Sequence, residues 1–557
     1  MVHLMARRVA FRRLRRMAIA GTAFALACAL ATPAQAATTG HADSTLGAKY
    51  GQPDPTPPKP EHRLWYAANF WWGLMPSSKT TGYTIWQLTR SGAWADTGIV
   101  VDRRSNSGAD TFYNGKHLFV ATHQFTPSYT NATGAPASLL RFSMTGGHWV
   151  QDKGFPVPMM STSVSAVSIG QDRTGHIVAA YVASAQPWYV ATTADADTDQ
   201  VAVSFTPPQK LLWNNVADLD PATAGDLIGE DIAAVSASNG FTTIVWSNQS
   251  HNAAHNGFYS ARHRDGATFF PESWTAMAVT PPGANSADNH IALASLPDDT
   301  KGRIFAVLKT SKNDPVNRKA SDPQLLFAVF TPTNPDDQLA GTWRAVTFTT
   351  VAQGGTRPVI LIDRTIHKAR VFFAAPFDAA TITPGHNQGT IFEKDVDYEA
   401  VGVPTGRGTV VQRDGHDLLD DPTSTAQNID APSGAVVESY ARRTLTGAPG
   451  HFWHSGAPGA AAFGAAAVLP QAGATDDPSL AMPTGPAGPT KPVPTFGSRA
   501  KDALSKVWDL ASGTPGRYVS LTVIVVGALV PTVLGMRRRT ARRRRRAARE
   551  TYGYYNR

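Results

Sequence analysis

The segments SVSAVSIGQDRTGHIVAAYV (residues 163–182) and GEDIAAVSASNGFTTIVWSN (229–248) share one design: a polar residue, a short apolar strand, a turn with Gly or Asp, and a second apolar strand. The same design recurs as SGADTFYNGKHLFVATH (107–123), DNHIALASLPDDTKGRIFAVLKT (288–310), TRPVILIDRTIHKARVFFAA (356–375) and AQNIDAPSGAVVESYARR (426–443). Equivalent turn positions fall at Gly115, Gly175, Gly240, Gly302, Lys368 and Gly434, roughly 60–66 residues apart. An earlier copy begins at HRLWYAANFWWGLM (62–75). Third and fourth strands follow in several units, as in YTIWQLTRSGAWADTG (83–98) and SLLRFSMTGGHWVQDKG (138–154). About four short strands per unit, with no helical period in the body, describe an all-β chain folded as a six- to seven-bladed β-propeller, which closes on itself and leaves only short sheet edges. A row of β-sandwiches would repeat nearer every ~100 residues, with linkers between.

Composition agrees with this class. The 557 residues include 47 Gly and 40 Pro, which favours turn-rich β structure over helical bundles. The net charge of +9 comes from the ends. Arg7, Arg8, Arg12, Arg13, Arg15 and Arg16 supply about +6, and the stretch after Met536, ten Arg against Glu550, about +9, leaving about −6 for everything between. The body therefore carries no electrostatic footprint for nucleic acid, and no nucleic-acid partner is expected.

The ends read as targeting and anchoring. Arginines, an apolar run over residues 17–30 and Ala34-Gln35-Ala36 reproduce a secretory signal, so residues 1–36 are expected to be removed after Ala36. The general secretory and twin-arginine routes both stay open. Cys28, the single cysteine, lies inside that apolar run, so the mature chain has no thiol for a disulfide, a metal or a nucleophile. A Pro-rich segment (37–60) precedes the propeller (61–454), and an Ala/Pro/Gly-rich linker (455–499) unable to bury a core follows it. Residues 500–517 form a juxtamembrane segment with Ala503, Leu504, Val507 and Leu510 on one helical face. The uncharged YVSLTVIVVGALVPTVLGM (518–536) is long enough, at about 1.5 Å per residue, to cross a bilayer as one C-terminal helix. The Arg-rich tail (537–557) then lies in the cytoplasm, facing anionic lipid, with the propeller outside a cell membrane spanned once.

The turn Asp172-Arg-Thr-Gly175 before an apolar strand, its counterpart Asp299-Thr-Lys-Gly302, and the Gly-Xaa-Trp unit ends at Gly92, Gly147 and Gly341 resemble the sialidase-type, Asp-box propeller superfamily. They also resemble exported, membrane-anchored propellers of high-GC Gram-positive bacteria. The resemblance covers residues 61–454 and implies a propeller fold. No full Ser-Xaa-Asp-Xaa-Gly-Xaa-Xaa-Trp box, Arg triad or Tyr/Glu nucleophile pair can be placed, so no catalytic assignment carries over.

In a propeller the innermost strands line a channel whose mouth collects residues from many blades. The polar positions before those strands are Asp110, Ser165, Asp231, His290, Arg357 and Asn428, with Glu230, Asp288, Arg104 and Lys309 close by in sequence. In a functional reading, Asp110, Asp231 and His290 supply acid or base groups, while Arg104 and Arg357 hold an anionic or hydroxyl-rich ligand. In a structural reading the same groups cap strand ends and bond neighbouring blades. Asp195-Ala-Asp197-Thr-Asp199 alternates carboxylates as a calcium loop does, yet lacks the Gly and distal Glu of an EF-hand, so a solvated turn is the simpler reading. No cofactor motif is present. Trp71, Trp72, Trp86, Trp94, Trp149, Trp246, Trp274 and Trp343 recur at strand positions and are assigned mostly to the core, at most two to ligand stacking. The expected activity is recognition of an extracellular glycan or protein. An anchored sialidase-like glycosidase or lyase is the enzymatic alternative, and an envelope scaffold the structural one.

Overall fold

The computed structural model describes residues 40–45, 56, 60–442 and 451–455, apart from 105–106, 126–132, 200–201, 212–226, 316, 335–336, 383–387, 414–417 and 431–433. The expected signal, linker, juxtamembrane segment, span and basic tail lie outside the described residues. Among those described, no helix is long and apolar enough to cross a membrane.

The fourth unit shows why the repeats fold as they do. Ala233–Ser238 pairs antiparallel with Phe241–Asn248, which pairs with Gly257–Arg264, which pairs with Thr275–Ala278. The first turn is Asn239-Gly240, both at positive φ, the pair of left-handed residues that a two-residue hairpin matching strand twist requires. Trp246, Ile244, Tyr259 and Ala233 face the preceding unit, against Val178, Ala180 and Tyr189. Val245, Phe258, Ala234 and Ile232 face the following one, against Ile291, Leu293 and Ala306. Because both faces of each sheet are covered, the strands are near-continuous apolar runs rather than alternating ones.

Six blades are each built from consecutive strands. Their innermost strands are Leu64–Ala67, Ser107–Tyr113, Val167–Gln171, Ala233–Ser238, Ile291–Ser295 and Thr356–Asp363, blades one to six in that order. A seventh sheet is composite. Its order is His41–Thr45, His451–Ser455, Val437–Arg442 and, innermost, Leu418–Thr423. It joins both neighbours through backbone bonds: the N–H groups of Arg63 and Leu64 donate to Ser424 O at 3.1 and 3.0 Å, and Ile429 N donates to Ile362 O at 2.8 Å. Trp94 of the first blade adds an Nε1–H bond of 2.9 Å to the fully buried carboxyl of Glu438. The ring is thus closed by strands from opposite ends of the described chain.

Two readings from the sequence change here. The segment 37–60 contributes a strand to the ring, and the last strand runs one residue past 454. The copy at 426–443 is misregistered: its innermost strand is LLDDPT (418–423), and Asn428 sits beyond it, beside the far end of the sixth blade's inner strand, where Ile429 bridges Asp363. The Asp172 and Asp299 elements are hairpin turns between first and second strands. Asp172 Oδ1 accepts N–H bonds from Thr174 and His176 (2.8 and 2.9 Å), and Asp299 accepts those of Lys301 and Arg303 (3.2 and 2.9 Å). Gly175 closes the first at φ +85, where a Cβ would fall 1.9 Å from Asp195 Oδ1.

Seven of the eight tryptophans named above are buried; Trp343 is half-buried and donates to Ser260 Oγ at 2.9 Å. Deleting His41–Thr45 would expose the ladder of His451–Ser455 as an open edge. The expected result is a lower melting temperature and self-association by size-exclusion chromatography; an unaltered melting temperature would contradict closure by this strand.

Candidate functional site

A cluster of buried charge lies beside the starts of the inner strands of blades five and six and on the composite seventh sheet. His290 directly precedes Ile291–Ser295. The antiparallel second strand Ile304–Lys309 returns Lys309 to the same end, where its N–H donates to His290 O at 3.1 Å. Asp288 receives the Lys309 ammonium, the His290 Nδ1–H and, at 3.3 Å, the Ser311 hydroxyl. All three ionisable side chains are about nine-tenths buried. Burial alone would raise the Asp288 pKa, but Lys309 and His290 override it and hold the carboxyl well below the usual range. Burial drives His290 down to about 4 against the pull of Asp288, with Lys309 and Arg357 adding to the fall. The imidazole is therefore neutral near pH 7, with Nδ1 as donor and Nε2 as acceptor. Nε2 has no hydrogen-bond partner among the described residues.

Arg357 enters from the sixth blade. It is the second residue of Thr356–Asp363, in the left-handed region at φ 52, and the strand register shifts between Thr356 and Val359. Across the seam Asp421 is also left-handed, at φ 48, beside a register shift between Asp420 and Thr423. Two non-glycine residues in this region on adjoining inner strands are costly backbone, held by the contacts they make. Arg357 ion-pairs with Asp421 and with Asp420, the latter at 3.3 Å. Both carboxylates are 1% exposed, whereas the Arg357 side chain is 20% exposed. Two buried anions thus fix a partly exposed guanidinium whose charge acts on His290.

Asp288, His290 and Lys309 thereby form one buried cluster at the start of the fifth blade's inner strand, and Arg357 stands at the start of the sixth blade's inner strand, which touches it. Glu230 adjoins them through the Asn289 amide at 3.5 Å. The other nominated residues are placed elsewhere or tied up. Asp110 lies inside its strand rather than before it; its carboxylate accepts the N–H of His62 (2.5 Å) and of Ile169 (2.8 Å), stapling blades one, two and three. Asp231 is buried and accepts from Ile228 N, Ser247 Oγ and Gln249, with burial raising its pKa to about 6. Arg104 is held by Asp102 through both carboxylate oxygens and by Pro136 O at 2.6 Å. Ser165 is buried at the third blade's entry. Asp195, Asp197 and Asp199 diverge: the first caps its own turn, the second accepts from Asn114 and Gln171, and the third pairs with Arg141. Among the described residues, no three His, Cys, Asp or Glu side chains group as a metal site.

Asp420 and Asp421 were not nominated from the sequence. The readable signal was Leu418-Leu419-Asp420-Asp421-Pro422: two adjacent carboxylates inside an apolar strand require a cation beside them.

Asp110→Ala would leave one buried and one half-buried N–H donor unpaired, and a loss of roughly 2–4 kcal/mol in urea unfolding is expected, smaller for Asp110→Asn. His290 gives a pH signature. Its folded pKa is depressed, so between about 6.5 and 4 the unfolded chain takes up a proton that the native state refuses, and stability is lost on acidification. In thermal melts, His290→Gln should recover stability relative to the native sequence at pH 4.5 compared with pH 7; a difference independent of pH would contradict the buried neutral imidazole.

No protein family matches this sequence, and no curated protein does. Among solved structures, the polysaccharide lyase Uly1 superposes with a TM-score of 0.39 and 8% identity over 75% of this chain and 97% of its own. A native Bacillus subtilis arabinanase, Arb43A, gives 0.28 and 10% over 52% and 92%, and a GH43 endo-arabinanase from Bacillus licheniformis 0.27 and 12% over 54% and 99%. Similarity this low carries no argument about chemistry, and the propeller assignment rests on the strand order of the chain itself.

Proposed function

We propose that this protein is a membrane-anchored, extracytoplasmic propeller that recognises a glycan or protein ligand at the cell surface through the channel mouth of blades five to seven. The observation that carries the reading is the placement of the Asp288–His290–Lys309 cluster and of Arg357, with its anchors Asp420 and Asp421, at the starts of two inner strands that touch. Fixed donors beside an unengaged acceptor suit a ligand rich in hydroxyl or amide groups, because little ordering remains to be done on binding. The surface location draws on the secretory signal, the uncharged stretch 518–536 and the arginines after it.

A second reading, a glycoside hydrolase or lyase of sialidase-like design, draws on His290. An imidazole neutral at pH 7, its tautomer set by Asp288, is a competent general base. The two readings separate by experiment. The full chain in detergent is screened on a glycan array and against fluorogenic glycosides. Binding without turnover, weakened on the order of tenfold by Arg357→Lys, which keeps the charge but loses the fork, is the expected result. Turnover abolished by His290→Gln would replace recognition with catalysis. Silence in both assays would favour a scaffold.

A further inference from the structure

The charges at this mouth restrict what can bind. Two cations, Lys309 and Arg357, face three carboxylates, Asp288, Asp420 and Asp421, while His290 is neutral. The cations are thus already matched. Arg357 has two buried anions of its own, and the Lys309 ammonium lies on Asp288. Arg104, the other nominated anion binder, is likewise neutralised by Asp102. An acidic sugar would bring a further negative charge to a site with no cation in excess, and desolvating an unmatched carboxylate is expensive. The body, at about −6 between its basic ends, gives no long-range attraction for anions either.

Hydroxyl groups meet no such penalty. Each can donate to the Nε2 of His290, a side chain 11% exposed whose Nε2 has no hydrogen-bond partner among the described residues. Each can also accept from a positively charged N–H. We infer that the ligand is an uncharged, polyhydroxylated glycan, and that Asp420 and Asp421 are positioning residues that hold the Arg357 guanidinium while cancelling its charge. This rests on the recognition reading given above, and it excludes the acidic polysaccharides that an arginine in a channel would otherwise suggest.

Half-buried cations are the competing source of anion affinity. Lys312 and Arg318 donate to the carbonyl oxygens of Ala284 and Ile382, which leave their charge uncancelled. Salt separates the two cases, because affinity from solvent-reached cations is screened. The full chain in detergent is titrated with fragments of neutral mannan and galactan and with polygalacturonate fragments, at 50 and 300 mM NaCl.

Expected is binding to a neutral fragment, its Kd changing less than about twofold with salt. Asp421→Asn, shown by its melting temperature to be folded, is expected to shift preference toward polygalacturonate by several-fold, because it leaves positive charge uncancelled. Binding confined to polygalacturonate, with strong salt dependence in the native chain, overturns this inference and leaves glycan recognition standing. An unshifted preference in Asp421→Asn overturns the charge-cancelling role. Binding to no glycan overturns both the inference and the glycan arm of the recognition reading.

Discussion

The structure depends on burial of both faces of every blade. Sheets packed side by side around an axis leave water only at their outer edges and at the channel, so Trp246, Phe258, Phe305 and their equivalents are enclosed from both directions. The same crowding governs polar groups on the innermost strands. Several of these are bonded across the seams instead of to bulk water. Asp110 joins three blades, Ser168 accepts from Val235 N at 3.0 Å, and Glu61 accepts from Val167 N at 3.1 Å and bonds His123 at 2.6 Å. These inner polar residues hold the ring together, and the candidate site lies where such pairing is left incomplete, at His290 Nε2.

Blades five to seven meet that condition. Bulged inner strands bring Arg357 and Asp421 into left-handed backbone, a conformation costing of order 1–3 kcal/mol per residue that persists only when its surroundings over-determine it. Here the surroundings are the ion pairs themselves. Charge, backbone and burial are therefore coupled, and no one of the three groups can be removed without disturbing the others.

Much of the fold was legible because apolar strand pairs with Gly-containing turns repeat at a near-constant interval, and a two-faced blade imprints that pattern directly on the chain. The seventh sheet was harder to see. One of its strands, His41–Thr45, is separated from the others by the whole ring, and its innermost strand carries two carboxylates and a proline in place of an apolar run. That substitution shifted the assignment to residues around Ile429 and turned attention to Asn428. The site was half legible: His290, Asp288, Lys309 and Arg357 stand where a polar residue meets a strand end. Asp420 and Asp421 lie within a strand, where periodicity expects core, and Asp110 shows the reverse error, since its strand begins three residues earlier, at Ser107, and its carboxylate bonds across the seams.

The composite sheet also has a mechanical side. The strand His451–Ser455 has Val437–Arg442 on one edge and His41–Thr45 on the other, both antiparallel. Tension applied along the chain beyond Ser455 would pull this strand lengthwise between two ladders, so several hydrogen bonds resist at once instead of parting one by one. A propeller whose exit strand is clasped on both sides is built to withstand tugging from that end without unravelling.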